Sequence, residues 1–319
     1  MNWYKGNIHT HTDQSDGDAS PEHVVGWFQD HGYDFLVLSD HNHLTILDHG
    51  KTQPDSPLMI PGEEVTVSVH QGRKPVHLIA VGIARMVEPI DADDVVPTLQ
   101  ANIDAILDAG GIASIAHPNY KWSFDYKSII QVNGAALMEI FNPTHTNDLG
   151  GPGKYSSEEN WDGVLSSGKS IWGVAVDDSH NYSDFTPELY NPGQGWIVVR
   201  ARDLSVNAIM DSLVKGDFYA STGIMLEELE VTSQSLSLRI EAKEHWLYTV
   251  QFIGHGGKIF AQNVGPEASY KFRGDESYIR ATITCSNPFK AWTQPVETGL
   301  NCHGIWSREK VRRLRILSF

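Results

Sequence analysis

The stretch NIHTHTDQSDGDAS, residues 7–20, governs how the rest of the chain is read. A strand directs residues i and i+2 to one face, so His9 and His11 point the same way. Ser15, Asp16 and Gly17 follow at once and have the composition of a turn. Two imidazoles side by side are tolerated when both hold a metal ion. The same letters also fit a polar loop with two solvated histidines, and a short His/Asp pattern is decided by its context.

That context is a series of seven apolar runs before residue 180. They are GNIHT (6–10), FLVLSD (35–40), LMIPGEE (58–64), VHLIAVG (76–82), GIASIAH (111–117), ALMEIF (136–141) and SIWGVAVDD (170–178). Each has strand length and is rich in β-formers or other apolar residues. Helix candidates lie between several of them. SPEHVVGWFQDHG (20–32) offers Ser20 as N-cap, Pro21 in the first turn and Gly32 as stop. VVPTLQANIDAILDAGG (95–111) sets Leu99, Ile103, Ile106 and Leu107 on one stripe. Strands alternating with helices predict an α/β fold with a parallel sheet or barrel. Polar residues gather at one end of the runs: His9 and His11, Asp40 and His41, Glu63 and Glu64, His117, Asp177 and Asp178. The C-terminal ends of barrel strands are where active sites form. His77 lies at the start of its run, which predicts an antiparallel or offset strand.

After residue 180 the texture changes. Residues 192–223 read as a strand, a capped helix and a turn that close the first unit. From Leu226 the chain alternates in short segments, LEELEVT, SLSLRIEAK, LYTVQFIG, GKIFAQNV, SYKFRG and SYIRATITC. These predict a small antiparallel β-sandwich-like unit. The expected division is therefore a catalytic unit over 1–224 and a β-rich unit over 225–319, the second contributing no metal ligand.

Of 319 residues, 24 are basic and 40 acidic, a net charge of −16. Long nucleic acids need basic grooves, so the acidity argues against them as partners. It is compatible with a small phosphorylated substrate held by metal ions. Cys285 and Cys302 build neither a disulfide framework nor a Cys-rich zinc site and are expected to be reduced thiols or at most one pair. No run reaches about 18 apolar residues, so no membrane partner is expected. The opening MNWYKGNIH lacks the pattern of a secretory signal, and the expected location is cytoplasmic.

Nine side chains at or just beyond the strand ends have metal-ligand chemistry: His9, His11, Asp16, His41, Glu64, His77, His117, Asp178 and His180. Imidazole nitrogens and carboxylate oxygens suit Zn, Mn or Fe(II). Nine ligands exceed the needs of one ion and suit two or three, with Glu64 as a bridging candidate. Burying such a set without cations is costly.

The motifs HTHTDQSDG (9–17), LSDHN (38–42), PGEEV (61–65), the His77 of VHLIAVG, AHP (116–118) and DDSH (177–180) together resemble the polymerase and histidinol phosphatase (PHP) superfamily of metal-dependent phosphoesterases. The likeness extends to WDGVLSSGKSIWGVAVDDSH and GDFYASTG, and AWTQPV (291–296) is similar to the C-terminal part of free-standing bacterial members. The resemblance implies a distorted seven-stranded (β/α) barrel with a trinuclear metal centre. It implies one ion on His9, His11, Glu64 and Asp178. A second would share Glu64 and take His77 and His117, and a third would take Asp16, His41 and His180. Glu63 and Asp177 are the adjacent alternatives to Glu64 and Asp178, and the family spacing favours the latter pair. Asp40 is expected to support a ligand histidine from behind.

Phosphoester hydrolysis on such a centre needs an activated water attacking phosphorus in line. Glu64 and Asp178 are then catalytic as ligands, and His180, or a water at the ions, protonates the leaving alkoxide. Candidate substrate contacts are Arg73, beside Lys74 in the cationic turn HQGRKPVHL; Lys121, with Tyr120 or Trp122 as a stacking face; and Asn142. Glu139 reads as a group behind the ligands or a buried salt-bridge partner. The expected activity is hydrolysis of a small phosphorylated metabolite, such as a nucleotide or sugar phosphate. The alternatives are an exonuclease-like phosphodiesterase on short oligonucleotides and a non-catalytic metal- or ligand-binding module. Amidohydrolase-type C–N hydrolysis would call for a catalytic Lys or lone bridging ligand after the fourth strand, which is not seen.

Overall fold

Pro61 cuts the run LMIPGEE in two. The computed structural model describes residues 1–47, 56–144 and 146–298. The first half runs β1 (Asn2–Asn7), α1 (Pro21–Asp30), β2 (Phe35–Leu36), β3 (Leu58–Met59), β4 (Gly62–Ser68), α2 (Val69–Gly72), β5 (Lys74–Val81), α3 (Val95–Asp108), β6 (Ile112–Ile115), α4 (Tyr126–Ile129), β7 (Ala135–Phe141), α5 (Ser157–Ser166) and β8 (Trp172–Ala175). Then come β9 (Trp196–Ala201), α6 (Val206–Lys215) and β10 (Phe218–Ser221). The remainder is β11 (Leu226–Val231), β12 (Ser235–Ile240), β13 (Tyr248–Gly254), β14 (Lys258–Val264), β15 (Glu267–Lys271), β16 (Tyr278–Cys285), β17 (Lys290–Thr293) and β18 (Val296–Glu297).

Proline has no N–H for a ladder, so a strand stops or changes sheet there. β3 pairs in parallel with β2, whereas β4 opens a separate five-stranded sheet in the order β4-β5-β6-β7-β8. Gly62 sits at the transfer point. A Cβ there would lie 2.5 Å from Val37 and 2.6 Å from the Ala80 carbonyl, so only glycine lets the sheets approach. β5 is antiparallel to both β4 and β6, and this is why His77 falls near the beginning of its strand yet at the same end as His117.

The fold is mixed α/β, and the strands do not form one closed seven-stranded barrel. β1 and β2 belong to a ten-stranded sheet that runs β14-β13-β16-β17-β10-β9-β1-β2-β3, with β18 on β16. Among the described residues, two single-residue parallel bridges, Thr10 with Ser179 and His41 with Glu64, link the strand ends of that sheet to the five-stranded one. The physical reason is local. Asn42 and Asp178 hold φ of 49° and 48°, a left-handed conformation that cannot continue a strand. Thr10 lies between His9 and His11, and Ser179 between Asp178 and His180. The candidate ligands therefore line the two seams.

The helices form as their caps predict. The Ser20 side chain accepts the His23 N–H at the start of α1. α3 buries Leu99, Ile103 and Ile106 against the sheet, with Leu107 half-buried. α6 is capped by Ser205 and closed by left-handed Gly216. In the C-terminal half, the sheet β11-β12-β15 packs Leu236, Leu238 and Tyr270 onto Val250, Phe252 and Ile283 of β13 and β16. β12 alternates strictly between buried and half-buried positions. Cys285 is half-buried and a free thiol; Cys302 lies outside the described residues. Among the described residues no helix is long and apolar enough to cross a membrane.

The two halves share the long sheet and one buried ion pair. Arg280 of β16 is 1% exposed and grips Asp162 of α5 with Nε and Nη2, at 2.8 and 2.7 Å. Tyr278 donates to the same carboxylate at 2.8 Å. Removing the cation strands a buried carboxylate. Arg280→Met is expected to destabilise the protein by about 3–5 kcal/mol in urea denaturation. A loss below about 1 kcal/mol would mean that Asp162 is not desolvated in solution.

Candidate metal centre

The site is assembled around Glu64, which is 1% exposed. Its Oε2 lies 3.3 Å from His9 Nε2, 3.3 Å from His11 Nε2 and 3.0 Å from His41 Nδ1. Its Oε1 lies 2.8 Å from His77 Nδ1 and 3.1 Å from His117 Nε2. Five histidines from four segments thus converge on one carboxylate. Asp178 Oδ1 adds a second oxygen, 3.1 Å from Nε2 of both His9 and His11. Asp16, 52% exposed, meets His41 at 3.5 Å and His180 at 3.4 Å. All nine residues singled out in the sequence are brought together.

The donor set fits divalent cations. His9 Nδ1 lies 2.6 Å from Glu139 Oε1 and is therefore the N–H, leaving a lone pair on Nε2. His11 Nδ1 faces Ser15 Oγ at 3.4 Å, so its Nε2 also offers a lone pair. These two nitrogens are 3.1 Å apart, each beside Glu64 Oε2 and Asp178 Oδ1. Lone pairs so placed repel unless a cation or proton stands between them. A tetrahedral ion with donors ~2.1 Å away sets those donors ~3.4 Å apart. Three groups have the required mutual approach: His9, His11, Glu64 and Asp178; His41, Glu64 and His77; and His11, Asp16, His41 and His180. The first two are largely buried, and the third opens to solvent through Asp16.

Without cations, the charges set the protonation. Burial opposes a charged His11, yet hydrogen bonds and charge from Asp178 and Glu64 lift its pKa from 6.5 to about 9. His9 is likewise raised against burial by Asp178, Glu139 and Glu64. Burial would raise Glu64, but His9, His77 and His41 pull it well below the carboxylate range. His117 and His77 share Glu64 Oε1 yet diverge. Both are opposed by burial; His117 is raised by Glu64, Glu139 and Asp178, whereas His77 stays lowered, with His117 and His41 as like-charged neighbours.

The surrounding residues hold the ligands. Glu139 binds His9 through Oε1 and accepts the His117 N–H (2.8 Å) and Asn142 Nδ2 (2.9 Å) through Oε2. Asn142 also donates to Asp178 Oδ2 at 3.0 Å and is 2% exposed, so it stands behind the ligands, not in a substrate pocket. Thr66 Oγ1 meets His41 Nδ1 at 2.6 Å. His180 Nδ1 lies 2.7 Å from the Asp178 carbonyl, which makes it the N–H and leaves Nε2 as a lone-pair donor beside Asp16. That orientation turns Nε2 toward Asp16, as the candidate group of His11, Asp16, His41 and His180 requires.

Asp40 stands behind a histidine through Ser15, whose hydroxyl lies between it and His11. It accepts from Thr12 N (2.7 Å), Thr12 Oγ1 (2.8 Å) and Ser15 Oγ (2.7 Å), and so pins the turn that presents Asp16. Glu63 and Asp177 point away from the cluster. Glu63 accepts the Val87 N–H, and burial pushes its carboxyl up to about 7. Asp177 clamps the N–H groups of Gly193, Gln194 and Gly195 at 2.9, 2.7 and 2.8 Å. Arg73 folds onto its own turn, donating to the His70 carbonyl at 3.0 Å. Lys121 lies 5.0 Å from the Tyr120 ring, which itself stands 5.5 Å from His117 and 6.1 Å from His77. Thr66, Thr12 and Ser15 escaped the sequence reading because hydroxyl residues carry no spacing signal. Glu139 was read as a group behind the ligands or a buried salt-bridge partner, and it stands behind His9 and His117.

Neither a protein-family model nor a curated protein matches the chain. Among solved structures, it resembles a Bacteroides vulgatus two-domain protein described as containing a predicted PHP-like metal-dependent phosphoesterase. That likeness has a TM-score of 0.53 at 16% identity and covers 88% of this chain and 90% of the other. At such identity the likeness is one of fold. A Chromobacterium violaceum amidohydrolase aligns over 58% of this chain and 93% of its own, with a TM-score of 0.41 at 16% identity.

The protonation of His11 has a measurable consequence. Its folded pKa, about 9, exceeds the 6.5 of the unfolded chain, so the metal-free protein gains stability below 6.5 and loses it as pH rises through about 9. In chelator-treated protein, Tm is expected to fall across that window, and divalent cations are expected to flatten the fall. A Tm that does not change with pH after chelation would contradict the arrangement of His9, His11, Glu64 and Asp178.

Proposed function

We propose that the chain is a metal-dependent phosphoesterase acting on a small phosphorylated substrate. The observation that carries this reading is the convergence of five histidines on Glu64, beside Asp178 and the solvent-facing group of Asp16, His41 and His180. His9, His11, Glu64 and Asp178 would hold one ion. Glu64 with His77 and His117 would hold a second, and Asp16, His41 and His180 a third. When bound, such ions supply Lewis acidity toward a phosphoryl oxygen and a water of near-neutral pKa. The protein's part is preorganisation. Glu139 keeps the His9 proton on Nδ1, the Asp178 carbonyl does the same for His180, and Asn142 aims the Asp178 carboxylate. Tyr120 walls the cluster beside His77 and His117. In this reading residues 1–224 form the catalytic unit, and 225–319 form a β-rich unit that supplies no ligand.

Metal-loaded protein is expected to carry two or three ions per chain by elemental analysis and to release phosphate from p-nitrophenyl phosphate when Mn²⁺ is restored after chelation. His9→Ala should remove at least one ion and nearly all hydrolysis. Asn142→Ala, which leaves every ligand in place, should lower activity or metal affinity by roughly 10–100-fold. Full activity in His9→Ala would overturn the reading.

Substrate size follows from charge. The net charge of −16 disfavours a polymer backbone as substrate, and the stretch dense in basic residues, 308–315, lies outside the described residues. A nucleoside monophosphate is expected to give a higher kcat/KM than a single-stranded oligonucleotide of about ten residues. The opposite preference would favour an exonuclease-like phosphodiesterase on the same centre.

A further inference from the structure

A second site stands across one loop from the metal centre. It is a cleft of about 260 Å³ whose walls include Lys74, Asn119, Trp122, Asp125, Lys154 and Tyr155. The loop that follows His117 separates it from the cluster. Tyr120 of that loop faces His77 and His117, and Trp122 turns the other way, into the cleft. Lys74 precedes His77 by three residues, ~10 Å along β5 toward the open end and on the opposite strand face.

Two ammonium groups converge there. Lys74 Nζ donates to the Trp122 carbonyl at 2.6 Å, and Lys154 Nζ lies 5.8 Å from the centre of the Trp122 ring. Burial and the charge of Lys154 both lower the Lys74 pKa, while Asp125 opposes them. Asp125 is already engaged, accepting the Lys127 N–H at 2.9 Å. The cleft therefore carries a surplus of positive charge in a chain whose net charge is −16. The turn beneath it is strained: Lys121 and Trp122, neither a glycine, both hold φ of 50°. Strain of this kind collects at ligand sites.

We propose that this cleft binds a phosphate group between the Lys74 and Lys154 ammoniums, with the Trp122 indole as one wall. Ammonium groups bind phosphate as compact point charges with several donors each. The phosphate has two sources: the far end of a substrate whose reacting phosphate sits at the metal centre, or free phosphate. The first source rests on the phosphoesterase reading; the second does not.

The test uses full-length, metal-loaded protein in three forms: wild type, Lys154→Gln, and Lys74→Gln combined with Lys154→Gln. Lys154 is exposed, so its single substitution leaves the fold and the Lys74–Trp122 bond intact. Calorimetric titration with inorganic phosphate is expected to show one site fewer, or one weakened by about tenfold, in both variants. In parallel, kcat/KM is compared for hexanediol bisphosphate and hexyl phosphate. If the cleft takes the substrate's far end, wild type prefers the bisphosphate by about tenfold, and the variants fall to about twofold, the statistical factor for two ends. If it takes free phosphate, the titrations differ while that preference stays near twofold in all three forms. Identical titrations and identical preferences across the three forms overturn the proposal. If hexyl phosphate is not hydrolysed at all, the phosphoesterase reading fails and the phosphate titration alone decides the cleft.

Discussion

The structure depends on a carboxylate that cannot stand where it does by itself. Glu64 is 1% exposed, and a buried, unpaired carboxylate is among the costliest groups a protein can hold. Five imidazoles reach it from four segments, His9 and His11 sharing one, because a single strand or turn can aim two side chains at one oxygen pair but not five. The packing of β1, β2, β4, β5 and β6 around one end follows from that demand. So does the antiparallel course of β5, which returns His77 to the end that parallel strands reach directly.

The same demand explains why the sheets stop short of one ladder. A ligand at a seam must leave the pleat, since pleated residues point alternately to the two faces and cannot all converge. At Asp178 the backbone enters the left-handed region, and it is held there by the Asn142 amide and by the Thr144 hydroxyl, which donates to its carbonyl at 2.8 Å. The strain sits at the ligands and is held by buried polar groups behind them. Glu139, Asn142, Asp40 and Thr66 are thus as necessary as the ligands. They fix tautomer and aim, which decide whether nine donors act as a cage or as a set of repelling lone pairs.

Much of this was legible in the chain. The runs of β-formers, the Ser20 and Ser205 caps, and the alternation of β12 are local signals, because helix and strand periods repeat within a few residues. The nine candidate ligands were also legible, since His, Asp and Glu at strand ends have chemistry that apolar neighbours do not. Less legible was Pro61 as a border between sheets: the run 58–64 has the composition of one strand, and only pairing partners reveal two.

What the sequence by itself determined, then, is which residues carry the chemistry and which segments extend or coil, for both are properties of a side chain and its near neighbours. Tertiary structure decided the rest. It set Glu64 and Asp178 inward and turned Glu63 and Asp177 to the Val87 N–H and to the loop Gly193–Gly195. It placed Asn142 behind the ligands, made His180 a lone-pair donor, and assigned Asp40 to the turn of Thr12 and Ser15. It also brought Lys74 to Trp122, 48 residues away. The physical reason is the same in each case. Adjacent residues on a strand differ by one face, and which face is inside depends on partners far away in the chain.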